Sequence, residues 1–266
     1  MQIRLVDVRE FGAGAFDDRP FTRRVGVLAL DSDLTMEADL ARMAGGGMAI
    51  HVARLPYGGP TTPDTLAAMA PRIAQAARLL PPDEPLDAIA YACTSASAVI
   101  GEAAVARAVA EGRGIAGEPV VTPLTAARAG LRALGARRIA LLAPYLPEAT
   151  RPVLDQLSRD GFEIVAATCL GLADDRRMAR LSVGAIAEAA LRATPREAEA
   201  LFISCTALRA SFAASAIETR LGRPVVASNQ ALGWALCRLA GVEPSAEGAG
   251  ALPRLALPDD AFEAAA

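Results

Sequence analysis

The strongest constraint on this chain is that it says nearly the same thing twice. Arg24-Val25-Gly26-Val27-Leu28-Ala29-Leu30 is echoed by Arg138-Ile139-Ala140-Leu141-Leu142-Ala143-Pro144. Leu86-Asp87-Ala88-Ile89-Ala90-Tyr91-Ala92-Cys93-Thr94 is echoed by Glu199-Ala200-Leu201-Phe202-Ile203-Ser204-Cys205-Thr206. The first pair starts 114 residues apart, and the two Cys-Thr steps lie 112 residues apart. A duplicated supersecondary unit explains both spacings.

Within each copy, runs rich in Val, Ile and Leu alternate with Ala-rich stretches of helical length. Strands are expected over Arg24–Leu30, Met48–Arg54, Leu86–Ala92, Pro119–Val121, Ile139–Ala143, Phe162–Thr168, Ala200–Ser204 and Pro224–Ala227. Helices are expected over Thr35–Met43, Pro63–Leu80, Ser97–Glu111, Leu124–Leu134, Pro147–Arg159, Arg177–Arg192, Ala207–Leu221 and Gln230–Leu239. Continuous apolar runs suit strands covered on both faces, and β-α alternation requires a parallel sheet. The expected fold class is α/β: two similar Rossmann-like domains with parallel sheets, related by a pseudo-twofold axis, with the active site in the cleft between them. The expected division is 1–123 plus 227–266 for the first domain and 124–226 for the second. Residues 1 to about 20 read as a lead-in, and those after Val242 as a tail.

Composition removes several chemistries. All 27 basic residues are arginine, so a Schiff-base lysine and the lysine of a phosphate-binding loop are both ruled out. One histidine, His51, cannot build a His-rich zinc site. A net charge of −3 gives no basic footprint for nucleic acid. No apolar run reaches the ~18 residues of a membrane helix, and the N-terminus lacks a signal-peptide core. A cytoplasmic protein with no membrane partner is expected. The cysteines, Cys93, Cys169, Cys205 and Cys237, form no C-x-x-C pair.

Two of those cysteines share a setting. Each Cys-Thr step ends an apolar strand where a helix is expected to begin, the place where parallel sheets bind ligands. There the helix dipole favours a thiolate, and the first-turn N–H groups can hold a carboxylate. Thr94, Ser95 and Thr206 add hydroxyls. Packed face to face, the repeats would set Cys93 and Cys205 on opposite sides of one small acid, one removing a proton and the other returning it.

The pair Tyr91-Ala92-Cys93-Thr94-Ser95 and Ile203-Ser204-Cys205-Thr206 resembles the aspartate/glutamate racemase superfamily. Asp31-Ser32-Asp33-Leu34-Thr35-Met36-Glu37, Ala143-Pro144-Tyr145-Leu146 and Leu170–Asp175 with Arg180 resemble its maleate isomerase and arylmalonate decarboxylase branch, most of all the subgroup named for ectoine utilisation. The resemblance runs from about Arg23 to Leu239. It implies catalysis by two cysteines without a cofactor, with Cys93 as nucleophile or first base and Cys205 as second acid/base. It also implies carboxylate binding by Thr94, Ser95 and Tyr145, and a homodimer. Arylmalonate decarboxylases keep only the second cysteine, so the resemblance disfavours that reaction.

The resemblance sets Asp33 and Asp175 at positions where maleate isomerases carry asparagines. A carboxylate facing a dianion in a cleft repels it. The expected substrate therefore has a carboxylate at one end and a cationic or hydrogen-bond-donating nitrogen near Asp33 or Asp175. The leading expectation is a cofactor-independent isomerase or racemase acting on a small carboxylic or amino acid, in ectoine or hydroxyectoine catabolism. The alternatives are a maleate cis-trans isomerase and a non-catalytic small-acid binding protein.

Overall fold

The computed structural model describes residues 3–12, 14–259 and 261–262, so the outer ends of the expected first domain, at 1 and 266, lie outside the described residues. It contains two four-stranded parallel sheets. The first holds β1 (Arg24–Leu30), β2 (Ala49–Leu55), β3 (Ala88–Ala92) and β4 (Val120–Val121), in the order β2-β1-β3-β4. The second holds β5 (Arg138–Ala143), β6 (Glu163–Cys169), β7 (Ala200–Ile203) and β8 (Val225–Ala227), in the order β6-β5-β7-β8. One topology is used twice, as the repeat requires. Burial follows composition: β1, β3 and β7 are buried along their whole length, while the outer strands β2 and β6 are partly exposed.

The helices are α1 (Met36–Ala44), α2 (Pro63–Ala67), α3 (Ala70–Ala77), α4 (Thr94–Ile100), α5 (Glu102–Arg113) and α6 (Pro123–Ala133). The second half adds α7 (Pro147–Arg159), α8 (Asp175–Ala179), α9 (Val183–Ala193), α10 (Ala214–Leu221) and α11 (Ser228–Leu239). Three expected helices are each two. Pro71 sits in the first turn of α3, where its missing N–H costs nothing, so it opens a new helix after α2. Gly101, at φ +88° and ψ 137°, separates α4 from α5 in a conformation that side chains resist. The Ser182 hydroxyl caps α9 and separates it from α8. Among the described residues no helix is long and apolar enough to cross a membrane.

The residues after Val242 are not a loose tail. Ser245 N–H donates to the Met43 carbonyl, Gln230 Nε2 to the Ala249 carbonyl and Trp234 Nε1 to the Leu255 carbonyl. With Ala249, Leu252 and Ala261 buried, the segment straps α11 into the core. Its Ala, Glu and Pro content hid a packed segment because few apolar anchors suffice. The lead-in keeps Ile3, Leu5, Phe11 and Phe16 exposed.

Helices α3 and α5 cross so closely that a Cβ on Gly112 would stand 2.3 Å from the Ala74 carbonyl oxygen. Backbone cannot yield as a side-chain tip can. Gly112→Ala should therefore lose about 2–3 kcal/mol in denaturant melts, and an unchanged midpoint would mean that the helices separate freely.

Candidate active site

In each sheet the strand order reverses between the two central strands, and ligands in open α/β sheets bind outside the carboxyl ends at such a point. The segments leaving these ends are Asp31-Ser32-Asp33 after β1, Cys93 after β3, Pro144-Tyr145 after β5 and Ser204-Cys205-Thr206 after β7. Hydrogen bonds join them across the halves. Thr35 Oγ1 donates to the Thr206 carbonyl at 2.6 Å, Ser32 Oγ to Asp175 Oδ2 at 2.9 Å and Thr61 N–H to the Ala173 carbonyl at 2.9 Å.

Cys93 is the N-cap of α4, with extended backbone and 5% exposure. Ser97 anchors it, since both its N–H and its hydroxyl donate to the Cys93 carbonyl, at 3.1 and 2.6 Å. Ser95 Oγ lies 3.7 Å from the Cys93 sulfur, and the Ala96 N–H also faces that sulfur. The N–H groups of Thr94 and Ser95 precede the first intrahelical acceptor and remain available for an anion.

Cys205 is built differently. No helix starts at Ala207 as expected: residues 206–210 turn, a 3-10 turn covers Ser211–Ala213, and α10 begins at Ala214. Cys205 itself sits at φ +100°, a conformation that a side chain disfavours. Its surroundings impose it. The Cys205 N–H donates to Ser228 Oγ at 3.0 Å, and the Ala207 N–H donates to the Cys205 sulfur at 3.3 Å. The Thr206 carbonyl is held by Thr35 and by Asn229 Nδ2 at 2.7 Å. Strain fixed from several sides is characteristic of reacting groups.

The expectation that a helix dipole favours thiolates is overturned by burial. Desolvation, with Asp175 adding repulsion, pushes the Cys93 thiol up to about 12, and the same causes raise Cys205. This environment favours the neutral thiol at both positions. Burial likewise lifts the Asp175 carboxyl to about 6, against the Ser32 hydroxyl that stabilises its charge, and Asp33 and Asp174 lift it further. Burial raises Asp33 too, opposed by the N–H groups of Met36 and Thr35.

The structure thus gathers Cys93, Cys205, Asp33, Asp175, Thr94, Ser95, Tyr145 and Thr206 into one cluster at the strand ends, all of them buried. Their hydroxyls are not equally free. The Thr94 hydroxyl donates to Ser228 Oγ at 2.9 Å, and the Thr206 hydroxyl points to the Ala92 carbonyl at 3.4 Å. Thr94 therefore offers a ligand its main chain rather than its side chain. Tyr145 OH lies 3.4 Å from Ser204 Oγ and beside the Cys205 thiol. Arg180 stands outside, exposed, and donates to the Arg176 carbonyl.

Asp33 Oδ1 accepts the N–H of both Thr35 and Met36 at 2.8 Å, so it caps α1 besides charging the cleft. Asparagine preserves an acceptor and alanine does not. Asp33→Ala should lower stability by about 1–2 kcal/mol, with Asp33→Asn losing far less in the same melts.

Sequence reasoning missed Ser32, Tyr57, Thr61 and Ser228. Tyr57 OH donates to Thr61 Oγ1 at 2.9 Å, and burial pushes its phenol up to about 12 beside Asp175 and Cys93. A cavity of about 350 Å³, lined by Tyr57, Gly58, Gly59, Asp174 and Asp175 among others, opens there. Both Tyr57 and Ser228 follow strand ends, and that position was the available clue.

Comparison with known proteins decides the family. The arylmalonate decarboxylase family model matches residues 59–253, most of the chain. The chain belongs to the arylmalonate decarboxylase family. Within this family's reach, a maleate isomerase of Pseudomonas putida is 27% identical over 243 residues, 86% of this chain and 96% of the relative. A doubly substituted arylmalonate decarboxylase in its liganded form superposes with a TM-score of 0.77 at 28% identity, covering 86% of this chain and 98% of that one. A cysteine-to-serine variant of Nocardia farcinica maleate cis-trans isomerase, carrying a covalently bound succinylcysteine intermediate, gives 0.77 at 28% identity over 87% of this chain and 98% of that one. These relatives of the family member described here are enzymes acting on small acids.

Proposed function

We propose that this arylmalonate decarboxylase family member is a cofactor-independent, two-cysteine isomerase or racemase acting at the α-carbon of a small acid that also bears a nitrogen. The observation that carries this reading is that two buried thiols, one from each half of the chain, lie close enough to buried carboxyls to be raised by them. A binding protein needs neither thiol. The N–H groups of Thr94 and Ser95, the Ser95 hydroxyl and the Tyr145 phenol bind the substrate carboxylate. With the substrate's cationic nitrogen bound, one cysteine loses its proton to solvent; the resulting thiolate takes the α-proton, and the electron pair of the broken C–H bond moves into the carboxylate as an enediolate. The other thiol gives its proton to the opposite face and is left as the thiolate.

The charge in the cleft favours a cationic nitrogen. Asp175 already raises both thiols, and a dianion would raise them further, whereas an ammonium group would lower them and the carboxyls together. An acetylated diaminobutyrate, from an opened ectoine-type ring, has this polarity, and consumption of ectoine or hydroxyectoine is the accompanying biological reading. The chain works in the cytoplasm as a homodimer. A second reading, maleate cis-trans isomerase, is favoured by the similarity to maleate isomerases over most of both chains. In that case Cys93 sulfur adds to one vinylic carbon while Cys205 protonates the other. Rotation follows, Cys205 takes the proton back, and the carbon–sulfur bond breaks.

Proton NMR in deuterium oxide separates these readings. The panel is diaminobutyrate, its acetyl derivatives, ectoine, aspartate, glutamate, hydantoins and maleate. Inversion at an α-carbon of a nitrogen-bearing acid supports the proposal. Conversion of maleate alone supports the second reading, and binding without turnover of any member would leave a binding protein.

A further inference from the structure

The two Cys-Thr steps come from different halves, yet one side chain touches both. Ser228, the first residue of α11, is 1% exposed, and its Oγ accepts from the Thr94 hydroxyl at 2.9 Å and from the Cys205 N–H at 3.0 Å. A hydroxyl oxygen has two acceptor sites, and both are occupied by the turns that carry the thiols. We propose that Ser228 is a positioning residue that sets the two thiols relative to one another.

Three further observations fit this role. The helix behind Ser228 is rigidly seated: every residue from Ser228 to Cys237 is buried, and α11 is strapped by the chain after Val242. The neighbouring Asn229 Nδ2 holds the Thr206 carbonyl at 2.7 Å, so consecutive residues of α11 grip the strained turn on both sides of its Cys205–Thr206 peptide unit. The grip on the Cys93 side runs through the Thr94 hydroxyl alone, so the two attachments can be cut separately. A shared anchor matters because hydrogen-bonded reach is short, and a displacement of about 1 Å in a reacting group costs on the order of 10²-fold in rate.

The inference rests on the two-thiol reading of function, but its test does not need a substrate. The full-length chain is treated with iodoacetamide, and modification rates are read by mass spectrometry; cleavage at arginine leaves the four cysteines in four different peptides. In Ser228→Ala, the rates at Cys93 and Cys205 should both change at least fivefold, while Cys169 and Cys237 stay within a factor of two. Thr94→Val, which spares the Cys205 N–H bond, should move Cys93 alone, and it serves as the test if Ser228→Ala does not fold. Ser228→Thr, retaining the oxygen, should restore the Ser228→Ala rates toward wild type. With a turned-over substrate, Ser228→Ala should lower kcat more than tenfold with KM within threefold. Unchanged Cys93 and Cys205 rates, or equal acceleration of all four cysteines, would overturn the role. Shifted rates in a protein that turns over nothing would keep Ser228 as the positioning residue and remove the proposed function instead.

Discussion

Cys93→Ala and Cys205→Ala should each abolish inversion of the substrate's α-carbon, by roughly 10²–10⁴-fold, yet fail in opposite senses when proton exchange is followed. A thiolate that removes a proton from one face can return a deuteron to the same face without its partner. Each variant should therefore wash deuterium into one enantiomer only: Cys93→Ala into the enantiomer whose α-hydrogen faces Cys205, and Cys205→Ala into the other. Proton NMR of each pure enantiomer in deuterium oxide reads this directly. Exchange of both enantiomers by a single-cysteine variant would mean one base serving both faces, which removes the two-thiol mechanism even if activity falls. The fold should survive both changes, since each thiol is a small buried group. The strain at Cys205, φ +100°, adds an internal control. Glycine tolerates that backbone better than alanine, so Cys205→Gly should unfold about 1 kcal/mol later than Cys205→Ala while being equally unable to invert.

The repeat, the strand positions and the placing of Cys93 and Cys205 at strand ends were legible in the sequence because each depends on local pattern. Apolar runs mark buried strands, and a strand's carboxyl end is where α/β sheets bind ligands. What escaped depends on tertiary context. The break at Gly101 and the turn at Cys205 are backbone conformations that Ala-rich composition does not announce. The thiol charge state was read from a helix dipole, worth about 1 kcal/mol, when full burial exerts the larger effect. Ser228 is an ordinary helix-start serine until the turn at Thr94, 134 residues away in sequence, is brought beside it. The C-terminal strap was missed because its hold comes from main-chain carbonyls, at Ala249 and Leu255, that accept from α11.

Asp175→Asn should make the protein more stable at neutral pH and worse at its proposed work. The carboxyl is lifted from its ordinary 3.8 to about 6 because burial penalises its charge, with Asp33 and Asp174 adding repulsion against the Ser32 and Thr61 hydroxyls. Folding therefore favours the protonated form. The stability associated with that proton is fully present below about pH 4 and is lost as pH rises through about 6. A lift of this size corresponds to about 3 kcal/mol, so asparagine should raise stability by about that amount near pH 8 and by almost nothing below pH 4. In a chain of 266 residues this is a rise in Tm of roughly 6–12 °C. Function should move the other way. If ionised Asp175 holds the substrate's cationic nitrogen, wild-type kcat/KM should fall as pH drops through about 6, and the variant should show no such limb while losing at least tenfold at pH 8. Its discrimination against maleate should fall at the same time, because a neutral amide no longer repels the second carboxylate. Melts at several pH values and a pH–rate profile of both proteins decide the matter. A stability difference that does not change with pH would mean the carboxyl stays ionised at little cost, and an unchanged ratio of nitrogen-bearing substrate to maleate would remove Asp175 from substrate selection.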